Sequence, residues 1–400
     1  MRRGLVFLLV CVLLSAPFSP AQARERWKRR IDRLVSGHSM SVSVRDAGVI
    51  LYGRGATTRR APASVEKLLV SMALLDSLGE NKRIRTTATA ETVAGGVLAG
   101  DLWLLGRGDP TVTGGNRYLR SLPFKPTRLG RLARHIKEAG VTAIHGRVMG
   151  STGYFGRDWW AQGWKSDFPR RYIPLPSALT FQGNVYKGTH IDDPERYAAR
   201  SLKRRLEDVG IKVTGVARSG TPPAGLRPVA FVKSAPLSSL MLYMNRHSSN
   251  FFAEVLGKRL GREIQGKGTI AAGARATRAW AAASNVTIET HDSSGLSYSN
   301  RVSPRGVTRL LAVAESRPWG SILRGTLARG GQGTLENRLQ GVPVRAKTGT
   351  LDRISALSGW VKLKRTNSWA EFSIMSYGMY KSSAVSIEDR IVRILHRGAR

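Results

Sequence analysis

The sequence predicts an α+β protein in which helices flank an antiparallel sheet and a smaller α/β domain is inserted into the larger one. Two observations predict this. The last hundred residues hold strand candidates at 344–351, 357–364 and 368–377 and then a closing helix at 387–396, an order typical of an antiparallel meander covered by helices. Between about residues 86 and 230 the helical texture gives way to short strands and Gly/Pro turns, which indicates an insertion.

The N-terminal segment has the features of a secretory signal peptide. Arg2 and Arg3 precede an apolar run, and Ala21-Gln22-Ala23 forms a small-residue cleavage site. The run is too short to span a bilayer, which takes about 20 apolar residues. We therefore expect an exported protein of the periplasm or cell envelope that begins near Arg24. Its only cysteine, Cys11, falls in the removed segment, so no disulfide is expected.

The formal net charge is +37, which admits two interpretations. One is an arginine-rich surface without special function. The other is electrostatic contact with an anionic wall polymer or membrane surface. A nucleic-acid partner is not expected, because the chain is exported and its basic residues are spread from end to end. No cofactor or metal ion is predicted, and the oligomeric state is left open.

Local patterns place the remaining elements. Strands are expected at 40–44 and 49–52, a helix after Pro62 that ends at Gly79, and strands at 86–91 and 97–105. A basic helix, a glycine and a short strand follow one another twice, around Gly140 and Gly210, which indicates two paired α/β units. Further helices are expected at 237–244, 251–260 and 269–283.

Three short motifs together predict one reaction mechanism. Ser64-Val65-Glu66-Lys67 is the only Ser-x-x-Lys in the chain, and residues three apart share a helix face. The other two motifs are Ser248-Ser249-Asn250, before a helix, and Lys347-Thr348-Gly349, on a strand. Each alone also fits an ordinary helix cap or a turn. Their order along the chain is that of the serine penicillin-recognising enzymes.

Each motif residue has a role in that chemistry. Ser64 needs a base to become a nucleophile, and Lys67 can be that base if burial and neighbouring cations such as Lys347 lower its pKa. Ser248 would pass a proton to the leaving amine, and Asn250 would hold a substrate amide. The remaining roles are substrate binding: Lys347 and Thr348 for a terminal carboxylate, and the backbone N–H groups of Ser64 and Thr350, which follows Gly349, for the oxyanion.

These residues resemble those of a known family, the D-alanyl-D-alanine carboxypeptidase/endopeptidases of the low-molecular-mass class C penicillin-binding proteins. Five segments carry the resemblance: 62–69, 108–111, 292–296 with 301–304, 333–335, and 345–350. The resemblance implies a penicillin-binding-protein/β-lactamase-like catalytic domain, peptidoglycan stem peptides as substrate and β-lactams as covalent inhibitors. The predicted organisation is a signal peptide (1–23), a split catalytic domain (24–85 and 231–400) and an inserted domain (86–230).

The chain also departs from the family. Ser64 and Ser248 are 248 − 64 = 184 residues apart, which fits an insertion. However, Asn184-Val185-Tyr186 runs almost directly into Asp193, where better-known members nest a further β domain. We expect that third domain to be absent.

Asp167 is the candidate specificity residue. The segment around Gly163-Trp164 and Asp167-Phe168 is similar to one in the family that places an aspartate beside the free amino group of a diaminopimelate side chain. An Asx turn before Pro169 is the plain alternative.

Two other functions stay open on the sequence. A β-lactamase would use the same acylation chemistry but needs a positioned base for deacylation, which no sequence feature isolates. A cationic, catalytically idle wall-binding protein of the same fold would not need the lysine base.

Overall fold

The computed structural model describes residues 20–399, and within that range the helical segments alternate with four small sheets. The helices are α1 (Pro20–Val35), α2 (Glu66–Leu78), α3 (Asn116–Ser121), α4 (Leu129–Glu138), α5 (Phe168–Arg171), α6 (Pro194–Asp208), α7 (Leu237–Arg246), α8 (Asn250–Gln265), α9 (Ile270–Ala283), α10 (Pro304–Glu315), α11 (Gly320–Thr326) and α12 (Lys381–Gly398). Three 3-10 turns lie at Ala63–Val65, Gln182–Asn184 and Gly333–Leu335.

The strands are short in the middle of the chain and long near its end. They are β1 (Met40–Asp46), β2 (Val49–Arg54), β3 (Arg85–Ala90), β4 (Val97–Leu98), β5 (Leu102–Leu105), β6 (Ala143–Ile144), β7 (Val148–Ser151), β8 (Val185–Tyr186), β9 (Thr189–His190), β10 (Lys212–Val213), β11 (Arg218–Gly220), β12 (Arg227–Lys233), β13 (Ala328–Arg329), β14 (Val344–Leu351), β15 (Ile354–Lys362) and β16 (Trp369–Tyr377).

The largest sheet has six strands in the order β13-β14-β15-β16-β1-β2, and every neighbouring pair is antiparallel. Helices cover both of its faces. On β15, Leu357 and Val361 pack with α1 and α12, whereas Ala356 and Trp360 pack with the helices around α2. Side chains alternate between the two faces because a strand has a period of two residues. The structure thus has the predicted antiparallel sheet between layers of helices.

Helix α2 lies at the centre of the helical layer that packs on the face of the six-stranded sheet opposite α1 and α12. The sequence predicted a helix after Pro62 that ends at Gly79, and in the structure all ten residues from Glu66 to Leu75 are buried. The reason is that α7, α8, α9, α10 and α11 all contact α2. Lys67 is therefore enclosed on every side.

The middle of the chain forms a separate group of sheets with its own apolar cluster. Five strands follow the order β11-β7-β5-β3-β12, and three follow the order β10-β6-β4. The twice-repeated helix, glycine and strand are α4 with β6 and α6 with β10, and the two strands pair in parallel. The strands that open and close this region, β3 and β12, are antiparallel neighbours. The division into an inserted and a split domain stays a prediction.

Two expectations about elements change. The single strand expected at 97–105 is two strands, β4 and β5, which belong to different sheets. Helices α1, α3, α5, α10 and α11 were not predicted. The predicted signal peptide lies outside the described residues apart from its last four, which begin α1. None of the helices between residues 20 and 399 combines the length and the hydrophobicity that a bilayer-spanning segment needs.

Candidate active site

The Ser64 segment is a tight turn that leads into α2. Ser64 lies in the 3-10 turn Ala63–Val65, just before the helix rather than in its first turn. Lys67 is completely buried, and its Nζ donates a hydrogen bond to Ser64 Oγ at 3.0 Å. The turn is strained at Ala63, whose φ of 47° is left-handed. The spacing of three residues therefore brings hydroxyl and amine together as predicted from the helix geometry.

Two glycines let other segments approach this turn. A Cβ on Gly349 of β14 would lie 2.5 Å from the Pro62 carbonyl oxygen. A Cβ on Gly295 would lie 1.9 Å from the Ala63 carbonyl oxygen, and Gly295 has a φ of 77°. Any larger residue would push strand or loop away from Ser64.

The second motif lies in the turn between α7 and α8. The capping role falls to Ser249, whose Oγ accepts from the Phe252 N–H at 3.3 Å. Ser248 has a left-handed φ of 52°, and its Oγ accepts from Lys347 Nζ at 2.9 Å. Asn250 Oδ1 accepts from Lys67 Nζ at 2.8 Å, while its Nδ2 donates to the Tyr172 carbonyl at 3.2 Å. One residue caps the helix, and the two beside it face the site.

The third motif lies on β14, where Lys347 pairs in register with Ser358 of β15. Lys347 is completely buried, and its Nζ also donates to the carbonyl of Thr348 at 2.8 Å. The structure thus places the five predicted residues in two hydrogen-bonded groups, one of Ser64, Lys67 and Asn250 and the other of Ser248 and Lys347. Ser64, Ser248 and Asn250 line one cleft. Thr348 and Thr350 line the same cleft.

Burial lowers the pKa of both lysines, so each loses its proton more readily than an exposed lysine does. It lowers the pKa of Lys67 to about 8, against the opposing effect of Asp292, Glu254 and Glu66. Burial, with the positive charges of Lys67 and Lys381, lowers the pKa of Lys347 well below its usual range. Burial is the largest cause of both shifts. The positive charges of Lys67 and Lys347 repel each other, so each also disfavours the protonated form of the other. At neutral pH about a tenth of Lys67 is uncharged and able to accept a proton.

The cleft in front of Ser64 has a volume of about 1060 Å³. Asp167 lies on its wall, beside the aromatic residues Phe168 and Tyr172. The Asp167 carboxylate accepts from Arg171 at 2.6 Å and makes no capping bond to the backbone after it. The Asx turn considered as the alternative is therefore not formed.

A sequence comparison with known families decides the assignment. The family model described as D-Ala-D-Ala carboxypeptidase 3 (S13) matches residues 30–192 and 187–398. The chain belongs to the S13 family. The resemblance drawn from the motifs is confirmed, and the protein is a serine peptidase of the D-Ala-D-Ala carboxypeptidase class.

Curated relatives agree with the S13 assignment. A D-alanyl-D-alanine carboxypeptidase of Actinomadura sp. (strain R39) is 27% identical over 441 residues, covering 86% of this chain and 78% of that protein. A carboxypeptidase of Mycobacterium tuberculosis is 30% identical over 317 residues, covering 74% of this chain and 67% of that protein.

Solved structures share the fold. Penicillin binding protein 4 from Haemophilus influenzae matches with a TM-score of 0.78 at 18% identity, covering 92% of this chain and 99% of that one. A predatory peptidoglycan endopeptidase from Bdellovibrio bacteriovorus matches with a TM-score of 0.57 at 16% identity, covering 90% and 92%. The predicted penicillin-binding-protein fold is confirmed.

Behind the S13 motifs lies a group of buried carboxylates that sequence reasoning missed. Glu66, Glu254 and Asp292 are each at most 1% exposed. Burial raises the pKa of Glu254 to about 8 and that of Glu66 well above its usual range. The one available signal was the spacing of Asn250 and Glu254, which puts both on one face of α8.

Proposed function

We propose that the protein hydrolyses the D-alanyl-D-alanine bond of peptidoglycan stem peptides through an acyl-enzyme on Ser64. Lys67 Nζ would take the hydroxyl proton as Ser64 Oγ attacks the carbonyl carbon of the penultimate D-alanine. The peptide C–N bond then breaks, and Ser248 passes a proton to the departing amine. Water hydrolyses the ester. The observation that carries this is the contact of Lys67 Nζ with both Ser64 Oγ and Asn250 Oδ1, at 3.0 and 2.8 Å.

Transition-state charge would be held by the backbone N–H groups of Ser64 and Thr350. Both residues line the cleft, and a lost donor of this kind typically costs roughly 3 to 4 kcal/mol of transition-state stabilisation.

Lys347 and Thr348 would bind the terminal carboxylate. An arriving carboxylate favours the protonated form of Lys347, so substrate binding itself would supply the charge that burial withholds in the empty cleft. Gly349 lies between these residues and the oxyanion site and lets β14 approach Ser64 closely enough.

Asp167 would select a side chain with a free amino group. Its partner Arg171 has a half-exposed side chain, 64% accessible, and exposed ion pairs are weak, worth about 0 to 1 kcal/mol. A substrate ammonium, such as that of diaminopimelate, can therefore replace Arg171 at little cost.

Both carboxypeptidase and endopeptidase activity are expected. An endopeptidase needs space beyond the leaving amine for a second stem peptide, and the cleft offers about 1060 Å³. The short hairpin of β8 and β9 lies at the position where better-known family members nest a further β domain. We expect that domain to be absent from this chain. Without such a domain, one wall of the cleft would be lower.

The protein would act in the cell envelope, in contact with anionic polymer. A groove between α1 and α12, which we call the arginine groove, supports this. Its basic lining residues are Arg30, Arg33, His38, Arg390, Arg393 and Arg397. Among the described residues that line it none is acidic. Arginine forks fit phosphate and carboxylate groups well.

The hydrolysis test compares two substrates. The wild-type protein should release D-alanine from a synthetic pentapeptide and split purified cross-linked muropeptide dimers at a comparable rate. Ser64→Ala should do neither, because no acyl-enzyme can form. Trimming of the pentapeptide with intact dimers would remove the endopeptidase half of the proposal, and activity in Ser64→Ala would remove all of it.

A further inference from the structure

Glu254 reaches the catalytic lysine through one backbone segment. Its Oε1 accepts from the N–H groups of Ser293 and Ser294, at 2.9 and 2.7 Å. The carbonyl of Ser294 in turn accepts from Lys67 Nζ at 2.6 Å. Asn250, one turn earlier on α8, accepts from the same Nζ. Helix α8 thus holds Lys67 twice, directly through Asn250 and indirectly through Glu254.

Asp292 fixes the other side of this segment. Its carboxylate accepts from five groups: the backbone N–H groups of Gly295 and Ser297, the side chains of Trp164 and Asn300, and the Ser294 hydroxyl. Glu254 differs from it, because Glu254 Oε2 has no hydrogen-bond partner among the described residues although the side chain is completely buried. Such an atom is costly to bury while it carries charge.

The charged groups around Glu254 come from three elements. Glu66 and Lys67 lie on α2, Asp292 lies on the loop after α9, and Lys258 lies one turn further along α8. Lys258 is paired with Asp158 at 2.8 Å, so it is not free to neutralise Glu254. Lys67 is the remaining cation of the group.

We propose that Glu254 is a positioning residue for the catalytic lysine, which aims the Ser294 carbonyl at Lys67 Nζ and sets by its own charge the pH at which Lys67 becomes a base. The proposal rests on the proposed function, in which Lys67 accepts the Ser64 proton.

The sign of the effect follows from charge. An ionised Glu254 favours protonated Lys67 and so delays the appearance of the free base as the pH rises. Burial lowers the pKa of Lys67 to about 8 and raises that of Glu254 to about 8, so both groups change charge over the same pH range, and the charge of one affects the titration of the other. A neutral side chain at position 254 should let Lys67 lose its proton at lower pH.

Glu254→Gln separates charge from geometry, because its amide oxygen can still accept the two N–H bonds. The rate of acylation by a fluorescent penicillin would be followed from about pH 6 to about pH 10. The midpoint of the rise should fall by about half a unit to one unit. Glu263→Gln, on the same helix but paired with Arg259, should leave the midpoint unchanged. A Glu254→Gln midpoint that stays or rises overturns the proposal.

Glu254→Asp tests the positioning half and guards against misfolding of the glutamine variant. It keeps the charge but withdraws the carboxylate from the two N–H groups. Acylation should slow roughly ten- to hundredfold with a nearly unchanged midpoint, and a wild-type rate would contradict the proposal. A wild-type protein that penicillin does not label would instead refute the proposed function, and with it the base that Glu254 is said to position.

Discussion

Lys67 is the residue on which the mechanism depends. Since burial lowers its pKa to about 8 and only the neutral amine can take a proton, acylation should rise as the pH increases through about 8. Lys67→Ala should lose roughly 10² to 10⁴ in acylation rate and lose this pH dependence. Stopped-flow measurement of penicillin labelling, with thermal unfolding as the check on stability, would test it. Near-normal labelling in Lys67→Ala would place the base elsewhere.

Replacing Lys347 by alanine should affect substrate binding as well as acylation, unlike the replacement of Lys67. Because Lys347 would bind the substrate carboxylate, its loss should raise KM as well as lower kcat. The wild-type preference for a peptide with a free C-terminus over the corresponding amide should also disappear.

The sequence predicted the motif residues but not the residues behind them. Ser64, Lys67, Ser248, Asn250 and Lys347 could be found because their residue types have a shared chemistry. Glu254 acts through a backbone carbonyl, that of Ser294, and a carbonyl has no signature in sequence. The sequence named burial as a possible cause of a low Lys67 pKa but could not show that Lys67 is buried, since its enclosure depends on five helices that meet around α2.

At the scale of elements, strongly patterned segments were predicted well. The bounds of β14 agree with the expected 344–351, and β15 and β16 agree within three residues at each end. The stretch 97–105 was read as one strand because its apolar residues are nearly continuous. Gly100 and Asp101 interrupt it, and Asp101 accepts from the Arg147 N–H at 2.7 Å. The chain passes from one sheet to the other at these two residues.

The arginine groove gives a prediction for α12. Arg390→Gln with Arg397→Gln removes two exposed charges and should slow digestion of intact sacculi about three- to tenfold at low salt. Hydrolysis of a soluble pentapeptide should be unchanged, because the groove is not part of the catalytic cleft. Added salt should abolish the difference by screening.

The matched control removes two exposed arginines from α6, as Arg200→Gln with Arg204→Gln. Equal losses in both double variants would show that net charge, rather than the groove, attracts the polymer.

At the scale of the whole molecule, the site is assembled from distant parts of the chain. Lys67 and Asn250 are 183 residues apart, and Ser248 and Lys347 are 99 apart. The N-terminal strand β1 pairs with β16 near the C-terminus. The six-stranded sheet can therefore close only after nearly the whole chain is present, and contacts of such long range are expected to make folding slow.

Acylation of Ser64 tests the central claim most directly. Trypsin cleavage after Arg60 and Lys67 would release the peptide 61–67, in which Ser64 is the only serine. Mass spectrometry of penicillin-treated protein should find the adduct on this peptide, and Ser64→Ala should carry none. An adduct on a different peptide, or an unmodified 61–67 peptide after saturating treatment, would contradict the account.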